Sequence, residues 1–457
     1  MEFGNNDTEE VEAIASGDRD ASMRLNWLIN PTGYSILAAC GPHEEGFESE
    51  FEGETRGAVS HLLLKALQER GGLGKRLQDI YAYLQAKFKD YSRVLQQNPV
   101  LYGNKRQGFF GYASSDTTTV AVPIVRGPDS SLQLQAGQAH GISCGDRFTL
   151  YPVSETESNN NSGTRDDRLL GRVIGVSALT SQLEQVDTAA PNTSHAETRW
   201  LARPLTRCSL QRFPIQLSPD ILPRESWLTA MKERSLGIHG DSDSGSTASF
   251  RVELNSNKEY EIQDESGQKL ANLPLMLQGE TEAGYFCDVI EHLARFALVK
   301  QLTRPSMEEP EERAAEPFAT SFSIQIVTRS GTVVDAGCPV QVHHSEKQWT
   351  FELRVENKGD KALYLYVYDM EPLWQVNGIG FGTYQVVPPR DDDRRFSGTV
   401  KKKLKTMIPA EMLAEGHRQC EDIIKVFVTS QPTSFDTLEL PIIGGVAPEK
   451  KTSSRIS

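Results

Sequence analysis

The sequence lacks any apolar run long enough to cross a membrane. A membrane-spanning helix needs about 20 consecutive apolar residues, whereas the longest apolar runs, at 35–40 and 363–368, have the length of single β-strands. The N-terminus is acidic rather than basic, which is not the composition of a signal or transit peptide. We therefore expect no membrane segment and no export.

The sequence also lacks an excess of basic residues. Lysine and arginine number 48 against 62 aspartates and glutamates, and the formal net charge is −14. A dedicated nucleic-acid binder needs a basic surface to displace counterions from phosphates, so we do not expect nucleic acid as a partner. With 38% hydrophobic and 24% charged residues, the composition is typical of a globular chain, and 457 residues predict several domains.

Cysteine is sparse and scattered. The six cysteines form no C-x-x-C pair, which argues against both a zinc site and a disulfide framework. His343 and His344 are adjacent, but neighbouring strand side chains point to opposite faces and no third ligand lies at a suitable spacing. We predict no metal, no other cofactor, and a reducing compartment, either the cytoplasm or the nucleus.

Residues 31–112 have the pattern of a strand, two helices and a second strand. The apolar run Tyr34–Cys40 is typical of a strand buried on both faces, as in a parallel sheet. Apolar residues then recur at helical spacing over 59–67 and 77–88, and the extended stretch Pro99–Tyr102 follows. Such a segment is an incomplete α/β sandwich, because its strand and helices need further sheet to cover them.

The remainder of the chain predicts two mainly β modules. Alternating apolar residues and glycines at turns predict a small β-barrel or a half-open sheet over 117–205. Evenly spaced strands with one helix predict a β-sandwich over 249–445. We expect three further segments without a core of their own. These are a flexible acidic tail or linker over 1–30, a linker over 206–248 and a flexible tail over 446–457.

Within residues 34–103, four ordered features resemble a known family. They are the strand ending at Cys40 with the acidic pair Glu44 and Glu45 after it, the helix Gly57-Ala-Val-Ser-His-Leu-Leu-Leu-Lys-Ala-Leu67, the second helix in Gly72-Leu-Gly-Lys-Arg-Leu-Gln-Asp-Ile-Tyr81, and Asn98-Pro99 before the last strand. In this order they are similar to the C-terminal, small-subunit half of a caspase-like domain, as in the metacaspase-related cysteine peptidases of fungi. The resemblance implies a caspase-like α/β fragment followed by the two β modules.

The same resemblance implies a cysteine-type endopeptidase that cleaves after Arg or Lys, using a Cys nucleophile and a His base. In the family both residues lie upstream of the matched half, the cysteine in an Asp-Cys-Cys-His-Ser-Gly run. This chain contains no such run and no histidine before His43. We therefore assign no catalytic residue, and we expect a peptidase that is truncated or inactive alone and has the missing large half as a partner. An alternative is that the coding sequence starts upstream of Met1.

Glu44 and Glu45 are the predicted substrate-binding residues. In the family an acidic residue shortly after this strand holds a basic substrate side chain by charge-assisted pairing. The alternative is that both glutamates lie in an exposed loop. Cys40 has His43 three residues further on, but we expect it to be a buried structural thiol rather than a nucleophile.

A second hypothesis is a non-catalytic interaction protein whose β modules bind a peptide or a protein partner. The charge runs Asp391–Arg395 and Lys401–Lys405 predict a solvated hairpin or loop, with a peptide-docking or intramolecular regulatory contact as the alternative. Tyr364, Tyr366 and Tyr368 alternate along one strand face, where we expect core or edge packing.

Overall fold

The structure, a computed structural model, describes most of the chain after residue 33. The described ranges are 34–41, 43–68, 76–90, 97–105, 108, 120–127, 131–152, 169–186, 200–221, 224–239, 247–303, 317–340, 349–379, 383–406 and 408–444. The predicted tails at 1–30 and 446–457, and the pair His343–His344, lie outside these ranges. The described fold is mainly β, with few helices, several sheets and one closed barrel.

The first part, called here the α/β segment, contains four short strands and two helices. They are β1 (Ser35–Ala38), β2 (Glu48–Phe51), β3 (Glu54–Gly57), α1 (Ala58–Gln68), α2 (Leu77–Asp90) and β4 (Val100–Gly103). β1 pairs antiparallel with β4, and β2 forms a separate hairpin with β3. All of β1 is only half-buried, because the other edge of this strand has no partner among the described strands. The prediction of a parallel strand buried on both faces is therefore wrong.

The two helices are covered by the barrel rather than by a large sheet. Ala58, Leu62 and Ala66 of α1 share an apolar cluster with α2, and this cluster reaches Ala121 and Leu201 of the barrel. Burial of this kind contributes about 25 cal/mol for each Å² of apolar surface removed from water. The barrel therefore covers the apolar faces of the two helices, for which the sequence pattern predicts a packing partner.

The barrel closes with six antiparallel strands, as the alternating pattern over 117–205 predicts. The strands are β5 (Val122–Arg126), β6 (Leu132–Leu134), β7 (Arg147–Pro152), β8 (Leu169–Val176), β9 (Ser181–Val186) and β10 (Trp200–Pro204). β10 pairs with both β5 and β7 and so completes the ring. Its interior is filled by apolar side chains such as Ile124, Phe148 and Leu150, which leaves a packed core rather than a channel.

Residues 206–248 are not a linker. They contain a short 3₁₀ helix, β11 (Ile215–Leu217) and α3 (Arg224–Glu233), which pack with β12 (Phe250–Leu254), β13 (Tyr260–Asp264) and α4 (Ala283–Gln301). β11 pairs parallel with β12, and β12 pairs antiparallel with β13. The segment looked like a linker because its apolar residues, among them Leu210, Ile215 and Trp227, lie in pieces too short to show a period.

The last part, called here the C-terminal sandwich, consists of two sheets with an apolar layer between them. Its elements are α5 (Pro317–Thr320), β14 (Phe322–Thr328), β15 (Val333–Asp335), β16 (Trp349–Asn357), β17 (Leu363–Met370), β18 (Val376–Gly378), β19 (Gln385–Val387), β20 (Thr399–Thr406), α6 (Ala410–Ala414) and β21 (Ile423–Thr429). One sheet has the order β15-β14-β16-β20, and in the other β17 pairs with β18, β19 and β21. The sandwich predicted over 249–445 therefore occupies the later part of that range, and β12, β13 and α4 belong to a separate sheet and core.

β17 is the central strand of the second sheet and is buried on both faces. Leu363, Leu365 and Val367 point into the sandwich, whereas Tyr366 and Tyr368 point the other way, into the core built on α4. This follows from the period of two in a strand. The prediction of core packing is confirmed for these two tyrosines.

Hydrogen bonds and one buried ion pair attach the α/β segment to the C-terminal sandwich and its last turn. Lys105 Nζ lies 2.7 Å from Asp436 Oδ1, and Gln78 Nε2 donates to Asp436 Oδ2 at 3.2 Å. The hydroxyl groups of Tyr81 and Thr383 are hydrogen-bonded at 2.8 Å. Burial tends to raise the pKa of Asp436, but the Lys105 ammonium outweighs burial, and the pKa lies below its usual value.

No helix of the described residues combines the length and the apolar character that spanning a membrane requires.

We predict that Lys105→Met lowers the free energy of unfolding by about 3 kcal/mol, because it leaves the Asp436 carboxylate buried without its cation. Urea unfolding followed by tryptophan fluorescence measures the change. Lys269→Met is the matched control, since Lys269 pairs with Glu261 at the surface, where such pairs contribute about 0–1 kcal/mol. Equal effects of the two substitutions would contradict the prediction.

A second prediction concerns pH. Burial, followed by the charges of Asp422 and Glu371, raises the pKa of Asp369 to about 7, and Asp369 Oδ1 is buried without a hydrogen-bond partner among the described residues. The unfolded chain loses this proton near pH 4, so the folded state binds an extra proton between about pH 4 and 7. Stability from this group is therefore present below pH 4 and is lost as the pH rises to 7.

Asp369→Asn removes this titration. We expect the variant to gain on the order of 2 kcal/mol relative to the wild type between pH 5 and pH 8. Chemical unfolding of both proteins at the two pH values measures the difference. Parallel pH profiles would show that Asp369 ionises normally.

Candidate functional site

A cleft of about 960 Å³ lies between the α/β segment and the C-terminal sandwich. One wall is formed by the loop after β1, the end of α2 and the residues that precede β4. The other wall is formed by the start of β17, by β19 and the hairpin after it, and by residues 430–432. Both predicted substrate-binding residues, Glu44 and Glu45, line this cleft.

The loop that carries the two glutamates is fixed at both ends by one buried side chain. Gln97 Nε2 donates to the carbonyl oxygen of Ala39 at 2.7 Å, and Gln97 Oε1 accepts from the Phe47 N–H at 2.9 Å. Gln97 is only 3% exposed. The 39–47 loop is therefore held in one position by the residues just before β4.

Glu44 is engaged within the protein. Its carboxylate accepts from the backbone N–H groups of Gly41 and Asn98 at 3.1 and 3.3 Å, and from Asn98 Nδ2 at 2.8 Å. The Tyr364 hydroxyl donates to Glu44 Oε1 at 3.5 Å. Four donors from both walls converge on one carboxylate, so the geometry makes Glu44 a residue that shapes the cleft.

Glu45 differs from its neighbour. Its side chain is exposed at the cleft, and it makes no hydrogen bond or ion pair with the described part of the chain. A carboxylate without an internal partner can accept charge-assisted hydrogen bonds from a bound cation. Of the two predicted residues, Glu45 is thus the one available to a ligand.

Cys40 has a structural environment. Its thiol donates to the backbone oxygen of Glu44 at 3.3 Å. Burial, and then the negative charges of Glu44 and Glu45, raise the pKa of the Cys40 thiol, whereas a nucleophilic cysteine needs a lowered pKa. His61 is buried and stacks on Phe51 at 4.1 Å between ring centroids. These surroundings favour the predicted structural role of Cys40, but its side chain is half-buried, so the prediction of a buried thiol is wrong.

The opposite wall brings aromatic residues that sequence reasoning did not assign to a site. Tyr364 and Tyr384 meet edge to face with ring centroids 5.3 Å apart, and the Tyr384 hydroxyl donates to the Asn98 carbonyl oxygen at 3.0 Å. Burial, followed by the charge of Glu44, raises the pKa of Tyr364 to about 12. Alternation along β17 indicates which face Tyr364 is on, but no sequence signal places that face beside Glu44.

A tight turn closes the rim of the cleft, where the charge run predicts a hairpin. Asp391 and Phe396 exchange two backbone hydrogen bonds, of 3.0 and 2.7 Å. The Phe396 ring meets the His43 ring edge to face, with centroids 4.9 Å apart. The hairpin 391–396 therefore contacts the loop that carries Glu44 and Glu45. The other run, Lys401–Lys405, lies in strand β20.

Three basic residues also line the cleft. Lys89 donates to Gln135 Oε1 of the barrel, and burial lowers its pKa to about 8. Lys361 and Arg394 are exposed. The cleft thus combines carboxylates, cations and two tyrosine rings. Among the described residues no group of three or more potential metal ligands is close enough to hold an ion.

The different roles of the two glutamates give a prediction. Glu44→Ala removes the acceptor of four hydrogen bonds, and we expect it to lower the free energy of unfolding by about 2 kcal/mol. Glu45→Ala, the matched control in the same loop, is expected to change it by less than about 0.5 kcal/mol. Thermal and urea unfolding of both variants test this, and a Glu44→Ala protein as stable as Glu45→Ala would contradict it.

In comparisons with known proteins, no family model, no curated protein and no solved structure matches the chain. Any assignment of function therefore depends on the residues and on the geometry of the cleft.

Proposed function

We propose that the chain is the peptide-recognition half of a caspase-like cysteine peptidase, and that its cleft binds an Arg or Lys side chain of a peptide substrate. In this proposal the nucleophilic Cys and the His base belong to a second polypeptide, the large half. The chain alone then binds peptides without cleaving them.

The observation that carries the proposal is the Glu45 carboxylate, which lies in a large cleft and has no partner among the residues that the structure describes. Arg and Lys side chains bind carboxylates by charge-assisted hydrogen bonds, which are stronger than neutral ones. Glu44 supports this role indirectly, because its hydrogen bonds fix the loop in which Glu45 lies. The order of β1, α1, α2 and β4 agrees with the order of elements in the family's small half.

The free edge of β1 supports the second part of the proposal. β1 pairs with β4 alone among the described strands, and a strand with an unpaired edge presents backbone donors and acceptors to another strand. Addition of a strand from the large half would extend this small sheet. That strand would arrive next to Cys40 and the 39–47 loop, beside the cleft.

The binding part is tested with two fluorescent peptides that differ in one residue, Arg in one and its neutral isostere citrulline in the other. We expect the chain to prefer the Arg peptide, and Glu45→Gln to weaken binding of that peptide about fivefold, which corresponds to the upper range for an exposed ion pair. Glu265→Gln, an exposed glutamate outside the cleft, is the control. Equal binding of the two peptides would refute the acidic pocket.

The catalytic part is tested by co-expression with the large half of a fungal metacaspase-related protein. Cleavage of the Arg peptide is expected only in the co-purified pair, and replacement of the Cys in the large half should abolish it. A stable pair without cleavage would show that the chain is not part of a peptidase.

The second candidate is a non-catalytic protein that binds a peptide or a protein partner through its β modules. It is favoured by the C-terminal sandwich, whose residues form a whole wall of the cleft. Peptide binding by the purified chain, together with no association with any large half, is the outcome expected of this candidate.

A further inference from the structure

We propose that Arg394 is an internal substitute for the basic side chain of the ligand. In the free protein its guanidinium neutralises Asp391 at the rim of the cleft, and a bound Arg or Lys side chain takes its place. This makes Asp391 a second specificity-determining carboxylate, supplied by the C-terminal sandwich. The inference rests on the proposed function, since it requires a cationic ligand.

The first step is that acceptor and cation belong to the same cavity. Asp391 and Arg394 both line the cleft, as does Glu45 on the opposite wall. The hairpin 391–396 is held to that wall by the contact between the rings of His43 and Phe396. A ligand that fills the cleft therefore meets Glu45 on one wall and Asp391 and Arg394 on the other.

The second step is that the carboxylate of Asp391 is fixed. Asp391 Oδ1 accepts from the backbone N–H groups of Asp393 and Arg394, both at 3.0 Å. These bonds hold the carboxylate within the hairpin and occupy only one of its oxygens. The other oxygen, Oδ2, remains as the acceptor for a cation.

The third step is that the internal cation is held loosely. Arg394 Nε lies 3.8 Å from Asp391 Oδ2, which is beyond hydrogen-bonding distance. The Arg394 side chain is 71% exposed and that of Asp391 37%. Exposed ion pairs of this kind contribute little to stability, so a ligand cation can displace the guanidinium at small cost.

A matched control lies directly before the hairpin. Arg390 pairs with Asp392 at 3.2 Å, and both side chains are more than 70% exposed. Neither residue lines the cleft. Arg390 thus has the same chemistry as Arg394 and pairs with a residue of the same hairpin, but it does not line the proposed site.

The test measures binding of the Arg and citrulline peptides by fluorescence anisotropy. Arg394→Ala is expected to tighten binding of the Arg peptide about two- to fivefold, because the internal competitor is gone. Asp391→Asn should weaken it by a similar factor, and Arg390→Ala should change nothing. Binding of the citrulline peptide should not change with any of these substitutions. Thermal unfolding should also be unaltered, because Arg390 and Arg394 are exposed. The asparagine in Asp391→Asn keeps the oxygen that accepts the two backbone hydrogen bonds of the hairpin.

Two outcomes overturn the inference and are distinguishable. If the wild type prefers the Arg peptide through Glu45 but Arg394→Ala binds it no more tightly, Arg394 is not a competitor and only this inference fails. If no protein of the series prefers the Arg peptide, the proposed function fails and the inference fails with it.

Discussion

The ion pair between Lys105 and Asp436 is the contact on which the arrangement of the cleft depends. Lys105 belongs to the α/β segment and Asp436 to the turn that follows the last strand, so the pair joins the two walls. A buried pair is costly to form and costly to break, because each charge loses water and then relies on the other. The surrounding hydrogen bonds from Gln78 and Tyr81 make the attachment a network instead of a single bond. Together with the contact between the rings of His43 and Phe396, this network attaches the wall that carries Glu45 to the wall that carries Asp391.

The barrel covers the two helices of the α/β segment, whose own sheet is small. α1 and α2 bury their apolar faces against barrel residues, and Lys89 reaches Gln135 from the same side. The small sheet of β1 and β4 therefore does not have to cover both helices. This arrangement is compatible with a chain that recognises a peptide but leaves the chemistry to another polypeptide.

Sequence reasoning predicted the features that depend on local pattern. Alternation predicted the barrel and many of the C-terminal strands, and helical spacing predicted α1, α2 and α4. It failed where the outcome depends on partners distant in the chain. The predicted parallel pairing of β1 was wrong, because an apolar run does not specify which strand lies beside it. The predicted linker at 206–248 was wrong, because its short apolar pieces form a core only together with α4 and β12.

The residues of the candidate site were likewise predictable only in part from the sequence. Glu44 and Glu45 were predicted from the resemblance to the caspase-like family, and both line the cleft. Their different roles were not predictable, since the donors that engage Glu44 include Tyr364, a residue 320 positions away. Asp391 was noticed only as part of a charge run, and nothing in that run indicates that its hairpin would meet His43.

The separation of the two walls along the chain has a consequence for biosynthesis. At about 5–20 residues per second, a ribosome that has made Glu44 needs roughly 15–60 s more to reach Tyr364. During that interval the nascent polypeptide can fold its barrel but has no cleft, and cannot engage a ligand through it. The cleft can therefore form only after the strands that build its second wall have been made, and a premature stop codon before the final sheet would yield a protein with a barrel and no cleft.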